Sequence, residues 1–179
     1  TVDGIQRYIS GRINATSAPL DGAHPWRFYY NAIRAANIFL ANIDRSPLAE
    51  SEKDVSKYQA RFLRAYYYHE LFKWFGPLVI TTEPLDPFAF STTKREDIKT
   101  TVDFIVQEFD TLTTPGLLPD KWSGGDYGRI TRAAAYGYKA RTILYAASPL
   151  FEESGYTFNQ AADAALQTIE YCEISGSNS

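Results

Sequence analysis

One stretch of this chain, from Tyr58 to Phe75, constrains the fold more than any other. It contains no glycine or proline, and its apolar side chains spread around most of a helical wheel. A helix with this pattern is buried by neighbours on several sides. Gly76 and Pro77 predict its end, because glycine suits the position after a helix and proline cannot continue one. The apolar residues 78–80 that follow predict a short strand or an extended arm.

The polar residues of this helix are few and lie close together. Lys57, Arg61 and Arg64 share a narrow polar strip on the wheel. Leu63, Tyr67 and Leu71 lie together on one side, and we predict that all three are nearly inaccessible. The other elements of the chain should then pack around this central helix.

The same periodicity predicts four further helices, at about 26–44, 94–112, 131–148 and 159–175. Two long links, 82–93 and 113–130, separate them. The pattern favours one all-α domain over residues 1–179, in which antiparallel helix pairs stack like tetratricopeptide pairs. Because of the two long links, the helix pairs recur at a spacing longer than the about 34 residues of a tetratricopeptide repeat.

Helix caps are predicted at three places, one of which is Thr131 before the fourth helix. Thr93 and Glu96 have the spacing of a capping box at the start of the third helix. Asn159 is predicted to cap the last helix. The residues predicted to form the apolar side of that helix are Ala162, Ala165, Leu166 and Ile169.

Composition excludes several classes of function. The net charge is −3 and no basic stripe occurs, so a nucleic acid partner is not expected. The single cysteine, Cys172, excludes a disulfide framework and a cysteine-based metal site, and we predict that it is a buried small side chain. No apolar run is long enough to span a bilayer.

The chain lacks the motifs of common enzymes. Metalloprotease, serine hydrolase, phosphate-loop and dinucleotide patterns are all missing. Of the two histidines, His69 lies on the central helix and is predicted to be a hydrogen-bonded structural residue. Asn37, in the middle of the first helix, is likewise predicted to bond a neighbouring loop. The 21 acidic residues single out no catalytic pair, so we expect no enzyme, cofactor or metal site.

Two long motifs resemble one known family. The first is RFLRAYYY at 61–68, followed by FGPLV at 75–79. The second is GRITRAAA at 128–135, followed by KAR at 139–141 and LYAASPLF at 144–151. In this order they resemble the SusD/RagB family of outer-membrane glycan-binding lipoproteins from Bacteroidetes. Residues 26–43 resemble the early helix of that family more weakly.

The resemblance implies a function. It implies a non-catalytic oligosaccharide-binding lipoprotein that acts as the lid of a SusC-like TonB-dependent transporter, with a lipid anchor outside this chain. It also implies a SusD-like helical superhelix, of which this chain is an amino-terminal fragment. The alternative function is that of a helical-repeat adaptor, which binds protein segments in its groove. An enzyme is the third class of function considered.

No sugar contact is carried over from the family, so candidates come from residue type and position. Aromatic rings on loops suit sugars because they offer an apolar face and polar edges. The candidate ligand-binding residues are His24, Trp26, Trp122, Asp126 and Tyr127. A structural interpretation of the glycine-rich 122–128 segment remains open, in which it is a turn that positions Arg129.

Overall fold

The computed structural model describes residues 9–10, 25–84 and 93–177, and these residues are all-α, as the sequence predicts. The helices are α1 (Pro25–Asn42), α2 (Glu50–Phe75), α3 (Ile98–Leu112), α4 (Arg132–Ala146) and α5 (Phe158–Ser177). Short 3-10 turns occupy Ile43–Arg45, Gly124–Asp126 and Pro149–Ser154.

Each helix packs antiparallel on the next one along the chain. Between α1 and α2, the Trp26 and Phe75 rings lie 5.2 Å apart and the Tyr30 and Tyr68 rings 6.3 Å apart, so residue numbers run in opposite directions. The pairs α2–α3, α3–α4 and α4–α5 also make extensive contacts. This order of contacts is that of a stack of helical hairpins.

The main core surrounds α2, but one side of that helix stays open. Leu71 and Tyr68 are fully buried, as expected for a central helix. The prediction is wrong for Leu63, which is 39% exposed, and Tyr67 is half-buried. The reason is geometric: α1 covers only part of this side of α2, and a groove remains between the two helices.

Arg64, which lies on the polar strip of α2, is buried with 6% exposure. Its guanidinium bonds the Glu108 carboxylate at 2.9 Å, the Asn37 side-chain oxygen at 3.0 Å and the Thr82 carbonyl at 3.2 Å. Arg61 pairs with the other Glu108 oxygen at 2.8 Å. Burial by itself raises the pKa of Glu108, but the hydrogen bonds and charges of the two arginines outweigh it and hold that pKa below its ordinary value.

The segment after α2 is an extended arm that pairs with no strand in the part of the chain that the structure describes. Tyr30 donates its hydroxyl hydrogen to the Val79 carbonyl and accepts from the Val79 amide, both at 2.9 Å. Tyr68 does the same at Thr81, at 3.0 and 2.8 Å. Asn37 donates to the Thr81 carbonyl at 3.0 Å, which confirms its predicted loop contact. Side chains of α1 and α2 thus replace the missing β-ladder.

The cap of α3 differs from the prediction. Asp97, not Thr93, is the N-cap residue, and its carboxylate accepts from the Thr100 amide at 2.6 Å. Residues 93–97 form a connection in which the Glu96 amide donates to the Leu78 carbonyl at 2.8 Å, so the helix starts later than the capping-box spacing suggests. The Thr100 hydrogen bond lowers the pKa of Asp97.

The capping box is found instead at α5. The Thr157 amide donates to the Gln160 side-chain oxygen at 2.8 Å, and the Gln160 amide donates to the Thr157 hydroxyl at 3.3 Å. The predicted cap at Asn159 is therefore wrong. Cys172 is exposed, contrary to the buried position predicted for it.

His69 is a structural histidine, as predicted. Its Nδ1 lies 2.9 Å from the Thr142 hydroxyl oxygen, and that hydroxyl donates to the Tyr138 carbonyl at 2.7 Å. The hydroxyl has one hydrogen, so Nδ1 must carry the proton in the His69–Thr142 bond. Burial, followed by the charges of Lys73 and Arg141, lowers the pKa of His69 to about 3.

We predict that replacing Leu71 by Ala lowers the free energy of unfolding by about 2–5 kcal/mol, because it opens a cavity in the core. The matched variant Leu63→Ala should cost less than about 1 kcal/mol, because that side chain is partly exposed. Urea denaturation followed by circular dichroism measures both. Equal losses in the two variants would contradict the packing described for α2.

His69 should make stability depend on pH. The folded protein keeps it neutral down to about pH 3, whereas the unfolded chain protonates it near its ordinary value of 6.5. Its contribution is therefore complete above pH 6.5 and falls by about 1.4 kcal/mol per pH unit as the pH drops toward 3. The variant His69→Gln does not titrate, so its denaturation midpoint should fall less between pH 6.5 and 4.5. If the denaturation midpoints of the two proteins fell equally with pH, this role of His69 in the pH dependence of stability would be refuted.

Candidate functional site

The link between α3 and α4 is fixed to α2 by one glutamine. The Gln59 side-chain amide donates to the Ile130 carbonyl at 2.9 Å and accepts from the Ile130 amide at 3.2 Å. The Trp122 indole N–H donates to the same carbonyl at 2.8 Å. These three bonds hold the 122–130 segment, called here the Trp122 loop, at one end of α2.

Two of the candidate residues are engaged inside this loop. The Arg129 guanidinium lies 4.6 Å from the Trp122 ring centroid, a cation–π contact. It also pairs with the Asp126 carboxylate at 2.9 Å. One face of the half-buried Trp122 ring is therefore covered by a protein side chain, and Asp126 is held by its partner.

Tyr127 is the most accessible aromatic of the loop, with 87% exposure. It lies between Gly124 and Gly128, whose φ angles of 61° and 95° belong to the left-handed region that favours glycine. This turn carries the tyrosine at the loop tip on an anchored backbone. A ring in this position offers a face for stacking and a hydroxyl for hydrogen bonding.

An open groove lies between α1 and α2 and ends at the Trp122 loop. Its volume is about 440 Å³, and its lining includes small alanines together with Phe39, Leu63 and Tyr67. Its polar lining includes Gln59 and Arg129, which already bond Ile130 and Asp126. The groove is thus a mainly apolar surface next to a polar, aromatic loop.

Trp26 lies in a different environment from the one expected. It belongs to the first turn of α1 and packs against Phe75 at 5.2 Å and Tyr30 at 4.7 Å, with the Arg95 guanidinium 4.7 Å from its ring. The expectation that it stands on an exposed loop is wrong. Its contact Phe75 and the loop anchor Gln59 are about 24 Å apart along α2.

The structure therefore brings Trp122, Asp126 and Tyr127 together and leaves Trp26 at the other end of α2. His24 lies outside the described residues. A ligand role for each of the five residues stays a prediction. Sequence reasoning missed Gln59, whose only signal is an amide on the mainly apolar central helix.

In the ranges 9–10, 25–84 and 93–177, no group of three or more His, Cys, Asp or Glu side chains is placed to hold a metal ion. No helix in these ranges is long and apolar enough to cross a membrane.

We predict that Gln59→Ala loosens the Trp122 loop, because the Ile130 amide loses its side-chain partner and the Ile130 carbonyl keeps only the Trp122 indole. Each such bond contributes about 0.5–1.5 kcal/mol, so trypsin cleavage after Lys121 or Arg129 should become at least about fivefold faster. Gln107→Ala, an exposed glutamine on α3, is the matched control. Unchanged cleavage in Gln59→Ala would show that the loop is held by other contacts.

The comparisons of this chain with a family profile and with solved structures agree on one family. A family profile of SusD-like proteins, described as starch-binding and associating with the outer membrane, matches residues 14–144. A laminarin-binding SusD-like protein is 29% identical with a TM-score of 0.74, over 92% of this chain and 32% of its own. A SusD-like protein from Bacteroides fragilis is 27% identical with a TM-score of 0.68, over 82% and 27%.

A surface glycan-binding protein A from Bacteroides fluxus is 28% identical with a TM-score of 0.59, over 68% of this chain and 25% of its own. Among curated protein sequences, none matches the chain. The chain thus spans between a quarter and a third of the length of the solved structures that it resembles.

Proposed function

Because the chain belongs to the SusD-like family, we propose that it is the amino-terminal helical part of a non-catalytic glycan-binding protein. The observation that carries this proposal is the family match over residues 14–144, together with similar structures described as binding laminarin or surface glycans. Oligosaccharide is the proposed ligand, and no cofactor or metal is required.

The proposed place of action is the outer membrane. The family description, which associates these proteins with that membrane, supports it. We propose that a lipid anchor outside residues 1–179 holds the protein on the outer leaflet. There it would deliver oligosaccharide to a SusC-like TonB-dependent transporter for uptake.

Within this chain the Trp122 loop is the proposed sugar contact. Sugars combine apolar C–H faces with hydroxyl groups, so they suit aromatic rings beside hydrogen-bonding side chains. Tyr127 presents an open ring, and Trp122 and Asp126 lie on the same anchored segment. Trp26 is a weaker candidate because its ring packs on Phe75 and Tyr30.

The alternative function, an adaptor for protein segments, is favoured by one observation. The groove between α1 and α2 is mainly apolar, and both Gln59 and Arg129 are engaged elsewhere. Such a surface suits an apolar side chain better than a hydroxyl-rich sugar. Glycan binding would therefore depend on the Trp122 loop, whereas binding of a protein segment would depend on the groove.

We predict that Tyr127→Ala weakens glycan binding by the full-length protein about three- to tenfold, through loss of one stacking ring. Tyr127→Phe should retain most of the affinity because it keeps the ring. Phe28→Ala, which removes another exposed aromatic ring, on α1, is the matched control and should bind normally. Isothermal titration calorimetry with laminari- and malto-oligosaccharides measures these affinities. The variant Leu63→Ala, titrated in the same way, tests whether the sugar binds in the α1–α2 groove instead.

Three outcomes of this titration would contradict the proposal. Absence of binding to any oligosaccharide would reject the glycan function itself. Normal binding by Tyr127→Ala would reject the Trp122 loop as the site, and loss of binding in Leu63→Ala would place the sugar in the groove. Shortened oligosaccharides recovered after incubation would show that the protein is catalytic.

A further inference from the structure

The central helix α2 has neighbours on three sides, and its fourth side stays partly exposed among the described residues. The helices α1, α3 and α4 all contact α2. On the fourth side, four residues at successive spacings of four, three and four share one face of the helix: Leu63, Tyr67, Glu70 and Trp74. Leu63 borders the apolar groove. Beyond Leu63 the face becomes aromatic and polar, and it ends at Trp74, which is 44% exposed.

Aromatic rings form a continuous patch across this face. The Tyr67 ring lies 6.0 Å from the Tyr29 ring of α1 and 5.6 Å from the Tyr66 ring. The Tyr66 ring in turn lies 5.3 Å from that of Tyr138 on α4. All four rings are half-buried, whereas Tyr68, the next residue in the chain, is fully buried and bonds the arm. Tyr66 and Tyr67 therefore reach the surface from rigid helical positions.

An ion pair lies beside these rings. The Lys73 Nζ atom is 2.7 Å from a Glu70 carboxylate oxygen, and both side chains are partly exposed. Burial, followed by the negative charge of Glu70, raises the pKa of Tyr29 and that of Tyr66, so the carboxylate lies near both hydroxyls. The charges of Glu70 and Lys73 balance each other, and both groups have further hydrogen-bonding capacity.

These residues are called here the tyrosine platform: Tyr29, Tyr66, Tyr67, Glu70, Lys73 and Trp74. Its chemistry indicates what it can bind. An apolar protein surface placed over the platform would remove water from the ion pair without replacing its hydrogen bonds. A neutral sugar can place its C–H faces on the rings and bond the ion pair through its hydroxyl groups.

We propose that the tyrosine platform is a second oligosaccharide-binding site, separate from the Trp122 loop. Glu70 lies 11 residues after Gln59, the anchor of that loop, which is about 16 Å along α2. In this site the rings of Tyr67 and Trp74 stack on the sugar, and Glu70 accepts hydrogen bonds from its hydroxyl groups. The proposal rests on the proposed glycan function, but not on the Trp122 loop as the contact.

The test is a calorimetric titration of the full-length protein with laminari- and malto-oligosaccharides. The starting variant is Tyr127→Ala, which weakens the contact proposed at the Trp122 loop and leaves the tyrosine platform intact. In this background, Trp74→Ala should weaken the remaining binding about three- to tenfold, because one stacking ring is lost. Glu70→Gln should also weaken it, because hydrogen bonds to a charged carboxylate become hydrogen bonds to a neutral amide.

The matched control is Leu63→Ala in the same background. Leu63 lies on the same face of α2 and is 39% exposed, but it is outside the tyrosine platform, so this variant should bind normally. Urea denaturation followed by circular dichroism should give a cooperative transition for every variant. This measurement separates a loss of binding from a loss of folding.

Two results would overturn the second site and leave the glycan function standing. The first is binding that neither Trp74→Ala nor Glu70→Gln weakens. The second is complete loss of binding in Tyr127→Ala alone, because a second site would still bind. If the unsubstituted full-length protein binds no oligosaccharide, the proposed glycan function fails together with the second site.

Discussion

A buried positive charge is the constraint on which the rest of this structure depends. The Arg64 guanidinium lies inside the protein, where an unpaired charge would cost several kcal/mol. Its compensation comes from three separate elements: Glu108 on α3, Asn37 on α1 and the Thr82 carbonyl on the arm. Movement of α3 would leave the charge without its carboxylate partner, and movement of α1 or of the arm would remove one of its hydrogen bonds. Apolar burial drives the collapse, and this network limits which arrangement of the helices is allowed.

The central helix α2 also keeps two aromatic groups apart, because they contact it at different positions along its length. Near its amino-terminal end, Gln59 holds the Trp122 loop, and at its carboxyl-terminal end Phe75 packs with Trp26. The two aromatic groups that the sequence offers as sugar contacts are therefore not parts of one site. Trp26 stabilises the α1–α2 junction, whereas Tyr127 makes no comparable ring contact and remains exposed. Of the two, only the loop combines an open ring with a fixed backbone.

The sequence predicts the helices well because periodicity and breakers are local signals. Gly76 and Pro77 mark the end of α2, and Asn37 in an apolar helix indicates a buried polar contact, which the structure confirms. Long-range partners could not be predicted. Arg64 could be assigned only to a polar strip, because nothing near it in sequence identifies Glu108, which is 44 residues away. Likewise, no local pattern connects Gln59 with Ile130, 71 residues later.

Leu63 shows a different limit of sequence reasoning. A helix that is apolar on most sides predicts burial for every apolar position, but it does not say which side its neighbours leave open. The α1–α2 groove and one side of α5 are examples of apolar surfaces that the structure leaves uncovered among the described residues. Contiguous apolar surfaces of this kind mark contacts with other protein elements, whereas sugars need hydrogen-bonding partners beside the rings. Apolar faces therefore suit helix packing, whereas the Trp122 loop, with an open ring beside hydrogen-bonding side chains, is a surface proposed for the glycan.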